Sequence, residues 1–100
     1  MTRKKAAQGS GDVFRDLGFG PEDAASLRIR ADLMIQLADL IKRRRLTQAA
    51  AAKLMGVTQP RVSDLVRGKI ELFSVDTLID MLARAGATVE VVVRSRKRAA

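Results

Sequence analysis

The chain of 100 residues contains no cysteine, no histidine, no tryptophan and no tyrosine. Without cysteine there is no disulfide and no thiolate nucleophile, and without cysteine and histidine the usual zinc sites are excluded. Histidine is also the commonest general base, so its absence leaves few side chains suited to catalysis. We therefore expect the protein not to be an enzyme, and we expect no metal and no cofactor.

Long apolar runs are missing as well. No stretch is apolar for long enough to cross a bilayer, and the basic N-terminus is not followed by the apolar segment of a signal peptide. The sequence therefore predicts a cytoplasmic protein with no membrane partner.

Acidic residues are scarce relative to basic ones. The chain has 11 Asp and Glu against 19 Lys and Arg, which gives a formal net charge of +8. Such a charge attracts polyanions before any specific contact forms. The only aromatic residues are three phenylalanines, too few for a surface that stacks single-stranded bases. The charge alone would suit DNA, RNA or an acidic protein, and the few aromatics count against a basic RNA-binding module.

The segment 46–69 reads as two short helices joined by a tight turn. Thr47 is a good N-cap, and the residues from Gln48 to Met55 include no helix breaker. Gly56 is suited to a left-handed helix end, and Thr58 begins a second helix with Pro60 in its first turn. Apolar residues mark the faces predicted to be buried: Ala52, Leu54, Met55, Val57, Val62, Leu65 and Val66. This pattern indicates a helix-turn-helix unit.

The same segment resembles the Cro/repressor (Xre) helix-turn-helix family. The resemblance rests on Leu46-Thr47-Gln48, Ala52, Gly56, Val57-Thr58-Gln59, Val62-Ser63, Leu65 and Arg67-Gly68-Lys69. It implies a lambda-repressor-like fold that is mainly α, with about five helices. Pro60 departs from the family pattern, which more often has a polar residue there.

In helix-turn-helix proteins the second helix enters the major groove and the first crosses the backbone. On this model the base-reading residues are Gln59, Pro60, Ser63 and Asp64, of which Pro60 can offer only apolar contact. Asp64 could instead support Arg61 or Arg67. The predicted phosphate contacts are Gln48, Thr58, Arg61, Arg67 and Lys69. The resemblance implies the same roles for Gln48, Thr58, Gln59 and Asp64.

The N-terminal third contains two different segments. Residues 1–11 are polar and basic, and we expect them to form a disordered arm. Residues 12–19 crowd Val13, Phe14, Leu17 and Phe19 together, either to pack on the domain's own core or to bind a second protein. From Pro21 the spacing of apolar residues predicts helix to about Arg44, as one helix or as two with a bend.

After the helix-turn-helix unit, Ile70, Leu72 and Phe73 are predicted to fill the core, and Ser74 to cap a helix from Val75 to Ala85. Residues 88–94 then alternate like a β-strand. A single strand needs a partner, so we expect Val89, Val91 and Val93 to form an antiparallel pair between the protomers of a homodimer. Residues 95–100 are a basic tail. The domain thus spans 12–94, and a dimer would favour a palindromic operator.

A wider resemblance covers residues 12–94. DVFRDLGF, LRIRADLMIQLADLIKRRRLTQ and RVSDLVRGKIELFSVDTLIDMLARAGATVEVVV are similar to compact Xre-type antitoxins of the HigA kind. This implies a bacterial antitoxin that neutralises a RelE/HigB-like ribonuclease toxin and represses its own operon, with Val13, Phe14, Leu17 and Phe19 as a candidate toxin contact. The alternative is a stand-alone Xre-type regulator, in which these four residues would pack within the domain.

Overall fold

The computed structural model describes residues 20–95, and this part of the chain is helical. It contains α1 (Pro21–Arg43), α2 (Gln48–Met55), α3 (Gln59–Val66), a short 3₁₀ turn (Ile70–Leu72) and α4 (Val75–Arg84). The predicted helix after Gly20 is therefore one helix. The fifth predicted helix, the basic arm and the end of the basic tail lie outside the described residues.

Each helix begins where a local signal favours it. Proline stands in the first turn of α1, where its missing N–H removes no helical hydrogen bond. The hydroxyls of Thr47, Thr58 and Ser74 accept hydrogen bonds from the backbone N–H three residues further on, and so cap α2, α3 and α4. All three caps confirm the sequence prediction.

The core lies where α4 packs on α1 and α2 packs on α3 and α4. Its largest fully buried side chains are Phe73, Leu37, Met55, Leu65, Leu78, Met81 and Val62. Within the described residues no polar or charged residue is buried. The core is therefore held by apolar packing, with every hydrogen-bonding side chain at or near the surface.

Three apolar residues predicted to be buried are exposed instead: Leu54, Val66 and Leu72. Leu54 and Val66 are 37% and 42% exposed because each lies beside the buried side of its helix, which is formed by Ala51, Ala52 and Met55 in α2 and by Val62 and Leu65 in α3. In a 3₁₀ turn, residues three apart share a face, so Ile70 and Phe73 point inward together. Leu72 then falls on the outer side, which corrects the prediction that it fills the core.

The described residues contain no β-strand, although the sequence predicts one over 88–94. A strand is defined by hydrogen bonds to a neighbouring strand, and residues 20–95 provide none. Ala87 and Val89 still pack against the core, whereas Val91, Val92 and Val93 are 77%, 72% and 88% exposed. The fold of the single described chain is thus all-helical, and strand pairing between protomers stays a prediction.

Candidate nucleic-acid interface

The turn between α2 and α3 is fixed by Gly56. Its φ of +70° lies in the left-handed region, and its N–H donates to the carbonyl of Ala52, closing the end of α2. The N–H of Val57 donates to the same carbonyl at 3.0 Å. An added Cβ at Gly56 would also lie 3.0 Å from Cδ of Arg84, so α4 packs closely over this turn.

The orientation of α3 follows from its apolar side. Val62 and Leu65 are buried in the core, which turns the opposite side of the helix outward. On that outer side Gln59 and Pro60 are exposed, Ser63 is half-buried, and Arg67 is exposed just past the C-terminus. Three of the four predicted base-reading residues, Gln59, Pro60 and Ser63, therefore lie together beside Arg67.

Asp64, the fourth predicted base-reading residue, is half-buried at the margin of this outer side. Its Oδ1 lies 3.7 Å from Nζ of Lys69, and the N–H of Lys69 donates to the carbonyl of Asp64 at 3.1 Å. The basic partner of Asp64 is therefore Lys69, in place of the expected Arg61 or Arg67. The contact also positions the Lys69 ammonium beside the C-terminal end of α3.

Arg61 faces away from this outer side. Its guanidinium carbon lies 4.6 Å from the centre of the Phe73 ring, and its Nη1 donates to the carbonyl of Leu72 at 3.0 Å. Stacking of a guanidinium on an aromatic face is favourable, and here it joins α3 to the 3₁₀ turn. The spacing of residues in the sequence does not predict this role. Its only signal is an aromatic residue twelve positions after an arginine of α3.

The first turns of α2 and α3 carry no acidic residue. No carboxylate in these first turns therefore offsets the positive end of either helix dipole. Such helix ends favour an anion bound beside their N-termini. Gln48, the first residue of α2, and Thr58 are exposed at these ends. Thr58 Oγ1 accepts from the N–H of Arg61 at 3.4 Å, which leaves its hydroxyl proton available to donate.

The four consecutive basic residues at the end of α1, from Lys42 to Arg45, make different contacts. Arg43 pairs with Asp39 at 3.5 Å, and Arg44 donates to the carbonyl of Ala85 at 3.0 Å, joining α1 to the end of α4. Arg45 has a φ of +53° and turns the chain toward α2. Lys42 and Arg45 are exposed. Part of the run is therefore structural, and part adds positive charge near α2.

The part of the chain from 20 to 95 holds no group of three acidic, cysteine or histidine side chains that could bind a metal ion. Over that range, no helix has both the length and the apolar character needed to span a membrane.

The predicted dimer residues and toxin-contact residues are separate from α3. Val91 and Val93 are exposed, and Val89 is half-buried against the core. Val13, Phe14, Leu17 and Phe19 lie outside the described residues. The structure therefore places Gln59, Pro60 and Ser63 together on the outer side of α3, with Asp64 at its margin and Arg61 on the opposite side. The dimer residues and the toxin-contact residues stay predictions.

The chain is similar to known proteins both in sequence and in structure. Residues 13–94 match the model of a protein family described as a helix-turn-helix domain. A solved structure of an XRE family transcriptional regulator is 40% identical, with a TM-score of 0.71, and the match covers 78% of this chain and 88% of that one. No curated protein matches the chain.

Proposed function

Because this chain belongs to the Xre-type helix-turn-helix family, we propose that it is a sequence-specific repressor that reads double-stranded DNA with α3. The observation that carries the proposal is the outer side of α3, where Gln59, Pro60 and Ser63 are accessible while Val62 and Leu65 hold the helix on the core. A helix presented in this way fits the width of the major groove.

Base recognition is assigned to the N-terminal half of α3. The amide of Gln59 can bond to adenine through both its oxygen and its nitrogen, and Pro60 can contact a thymine methyl group. The hydroxyl of Ser63 can donate or accept. Asp64 can accept from a cytosine amino group through the carboxylate oxygen that Lys69 does not contact.

Phosphate contacts are assigned to the groups around these readers. Gln48 and the N–H groups at the start of α2 face one stretch of backbone, and Thr58 donates its hydroxyl proton to another phosphate. Arg67 and Lys69 supply positive charge at the far end of α3. Arg61 can add a phosphate contact through the N–H groups that Leu72 does not occupy.

The operator is proposed to be palindromic, because the exposed valines of 88–94 would pair two protomers about a two-fold axis. Two copies of α3 would then enter successive major grooves about 34 Å apart.

Binding measurements on full-length variants test the division between base and phosphate contacts. The operator is selected first from random duplexes by the wild-type protein. Gln59→Ala should then lower operator affinity about tenfold while leaving affinity for random DNA unchanged. Lys69→Ala should weaken both and reduce the slope of log K against log salt by about one. Lys53→Ala, a charge-matched change of an exposed residue of α2, should leave both the affinity and the preference intact. Equal losses on both DNAs for Gln59→Ala would contradict base reading by α3.

We further propose that the protein acts as the antitoxin of a toxin–antitoxin pair, and that it neutralises a RelE/HigB-like ribonuclease and represses its own operon. Support comes from the sequence resemblance of residues 12–94 to HigA-like antitoxins. A stand-alone Xre-type regulator without a toxin is the alternative. Co-expression with the protein encoded next to it distinguishes them. An antitoxin should co-purify with that protein in fixed ratio and suppress its ribonuclease activity, whereas a stand-alone regulator should purify alone.

A further inference from the structure

The C-terminal end of α4 is connected to the helix-turn-helix unit by two arginine side chains. Nη1 of Arg44 donates to the carbonyl of Ala85 at 3.0 Å. The side chain of Arg84 packs over Gly56, where an added Cβ would lie 3.0 Å from Cδ of Arg84. Arg44 stands four residues before the first residue of α2, and Gly56 directly follows the last. The two contacts therefore connect the end of α4 to the chain on both sides of α2.

Both contacts lie at the surface and act on the orientation of α4. Arg44 and Arg84 are exposed, so neither contributes to the buried core. The cation of Arg44 lies at the end of α4 where the helix dipole is negative, and Nε of Arg84 is held by Oδ2 of Asp80 at 2.8 Å. A helix end that is held at two places cannot pivot about either one. We therefore expect these arginines to fix the angle between α4 and α2 and to add little to stability.

The chain leaves α4 in a direction that depends on this end of the helix. Gly86 turns the chain with a φ of +91°, and the N–H of Ala87 donates to the carbonyl of Leu82 at 2.9 Å. Val89 then packs against the core. Val91, the first of the three exposed valines, follows two residues later, within about 7 Å of extended chain. The position of the segment predicted to pair between protomers is therefore set by the end of α4.

The helix α3 and the exposed valines are thus both connected to the end of α4, and a rigid connection there would fix the distance between the two copies of α3 in a dimer. We propose that Arg44 and Arg84 are the positioning residues that make this connection rigid, so that the protein is selective for the spacing between operator half-sites. This role rests on the proposed function, in which residues 88–94 pair two protomers and α3 reads DNA. Two base pairs added between the half-sites move the second one by about 7 Å and rotate it by about 70°, which a rigid dimer cannot follow.

Binding to duplexes with altered spacing tests these roles. The operator selected by the wild-type protein is compared with duplexes in which two base pairs are inserted or removed between its half-sites, and with a single half-site. The wild-type protein should lose about tenfold or more in affinity when the spacing changes, because the second α3 no longer binds at the same time. Arg44→Ala should reduce that loss to about threefold and leave the affinity for the single half-site unchanged.

Arg43→Ala is the matched control, because it removes the same charge from the neighbouring residue. Arg43 pairs with Asp39 inside α1, so its loss should leave the spacing preference intact. An Arg44→Ala protein that keeps the wild-type spacing preference would overturn the positioning role, and so would an equal loss of preference in Arg43→Ala. A wild-type protein with no preferred duplex would instead refute sequence-specific reading by α3, and the positioning role would fall with it.

A distance measurement without DNA checks the same connection. The chain has no cysteine, so a nitroxide at Lys53→Cys, an exposed position of α2, gives one label in each protomer. Electron–electron double resonance should find a narrow distribution of distances between the two labels of a dimer. Arg44→Ala and Arg84→Ala should each widen this distribution, and Arg43→Ala should not. A width that neither substitution changes would contradict the positioning role, whereas the absence of any distance between labels would refute the dimer itself.

Discussion

Gly56 combines two constraints at a single residue. Its backbone is left-handed, and the side chain of Arg84 packs against the position that a Cβ would occupy. Gly68 has a similar φ of +76°, but nothing lies within 4 Å of the corresponding position. Substitution of each glycine by alanine therefore distinguishes the cost of backbone strain, present at both positions, from the cost of steric contact, present at Gly56.

Gly68→Ala should lower the free energy of unfolding by about 1 kcal/mol, the cost of a left-handed alanine. Gly56→Ala should cost about 1–2 kcal/mol, because the same strain is joined by displacement of Arg84 from its 2.8 Å contact with Asp80. Urea unfolding of both variants measures the difference. A larger loss for Gly68→Ala would show that the packing of Arg84 on this turn has no energetic consequence.

Burial changes the titration of Asp32 in α1. Desolvation raises the pKa of its carboxyl above the ordinary value, and the nearby Arg28 partly opposes this. The folded state therefore holds this proton more tightly than the unfolded state does. It follows that stability falls as pH rises from the ordinary aspartate pKa through the raised one.

Asp32→Asn should accordingly raise Tm at neutral pH, and the gain should vanish near about pH 3, where Asp32 is protonated in both states. Thermal unfolding monitored by circular dichroism at the two pH values measures it. Asp39→Asn, which removes the exposed pairing with Arg43, should give no gain at neutral pH. If Asp32→Asn stabilised the protein equally at both pH values, the effect would not arise from ionisation.

At the scale of single elements, the position of α3 depends on contacts with the segment that follows it in the chain. Arg61 stacks on Phe73 and bonds to Leu72, so the 3₁₀ turn supports the helix from the side opposite Gln59. The angle at which α3 is presented thus depends in part on a segment that follows the helix-turn-helix unit.

Arg61→Lys should lower the free energy of unfolding by about 0.5–1 kcal/mol, because lysine keeps the charge but loses the planar stacking group. Chemical denaturation measures the loss, and Arg67→Lys, at an exposed position past α3, is the matched control with little expected change. A fully stable Arg61→Lys protein would mean that the charge alone matters at this position.

Element boundaries were largely predictable because they depend on local chemistry. Thr47, Thr58, Ser74 and Gly56 act within a few residues, and each is found in its predicted role. Whether a given apolar side chain points into the core or toward solvent was less predictable. The spacing of apolar residues shows which side of a helix faces the core, but not how much of that side the neighbouring helices cover. Leu54 and Val66, which the spacing predicts to be buried, are therefore found exposed. The contact of Arg61 with Phe73 depends on tertiary packing that spacing alone does not encode.

At the scale of the whole molecule, Val91, Val92 and Val93 are exposed, and within residues 20–95 they belong to no strand. Exposed β-branched side chains on a segment with unpaired backbone groups favour addition of a second strand. The alternating pattern of residues 88–94 predicts such a strand, whose hydrogen bonds would join two protomers instead of two segments of one chain.

Val91→Pro should weaken the homodimer, because proline removes a backbone N–H and resists the interior of a paired strand. Sedimentation velocity at micromolar concentration should then give a monomer, whereas Val91→Thr, which keeps both the N–H and the β-branch, should remain dimeric. A Val91→Pro protein that still sediments as a dimer would place the interface elsewhere.

Three of the four methionines, Met34, Met55 and Met81, are buried in the core. The chain has no thiol, so methionine sulfur is its only oxidisable sulfur, and packing in the core shields these three side chains from an oxidant. Conversion to the polar sulfoxide therefore requires the helices to separate first. The rate at which Met34, Met55 and Met81 gain oxygen in peroxide, measured by mass spectrometry of the peptides that contain them so that Met1 is counted separately, would therefore report how often the domain opens.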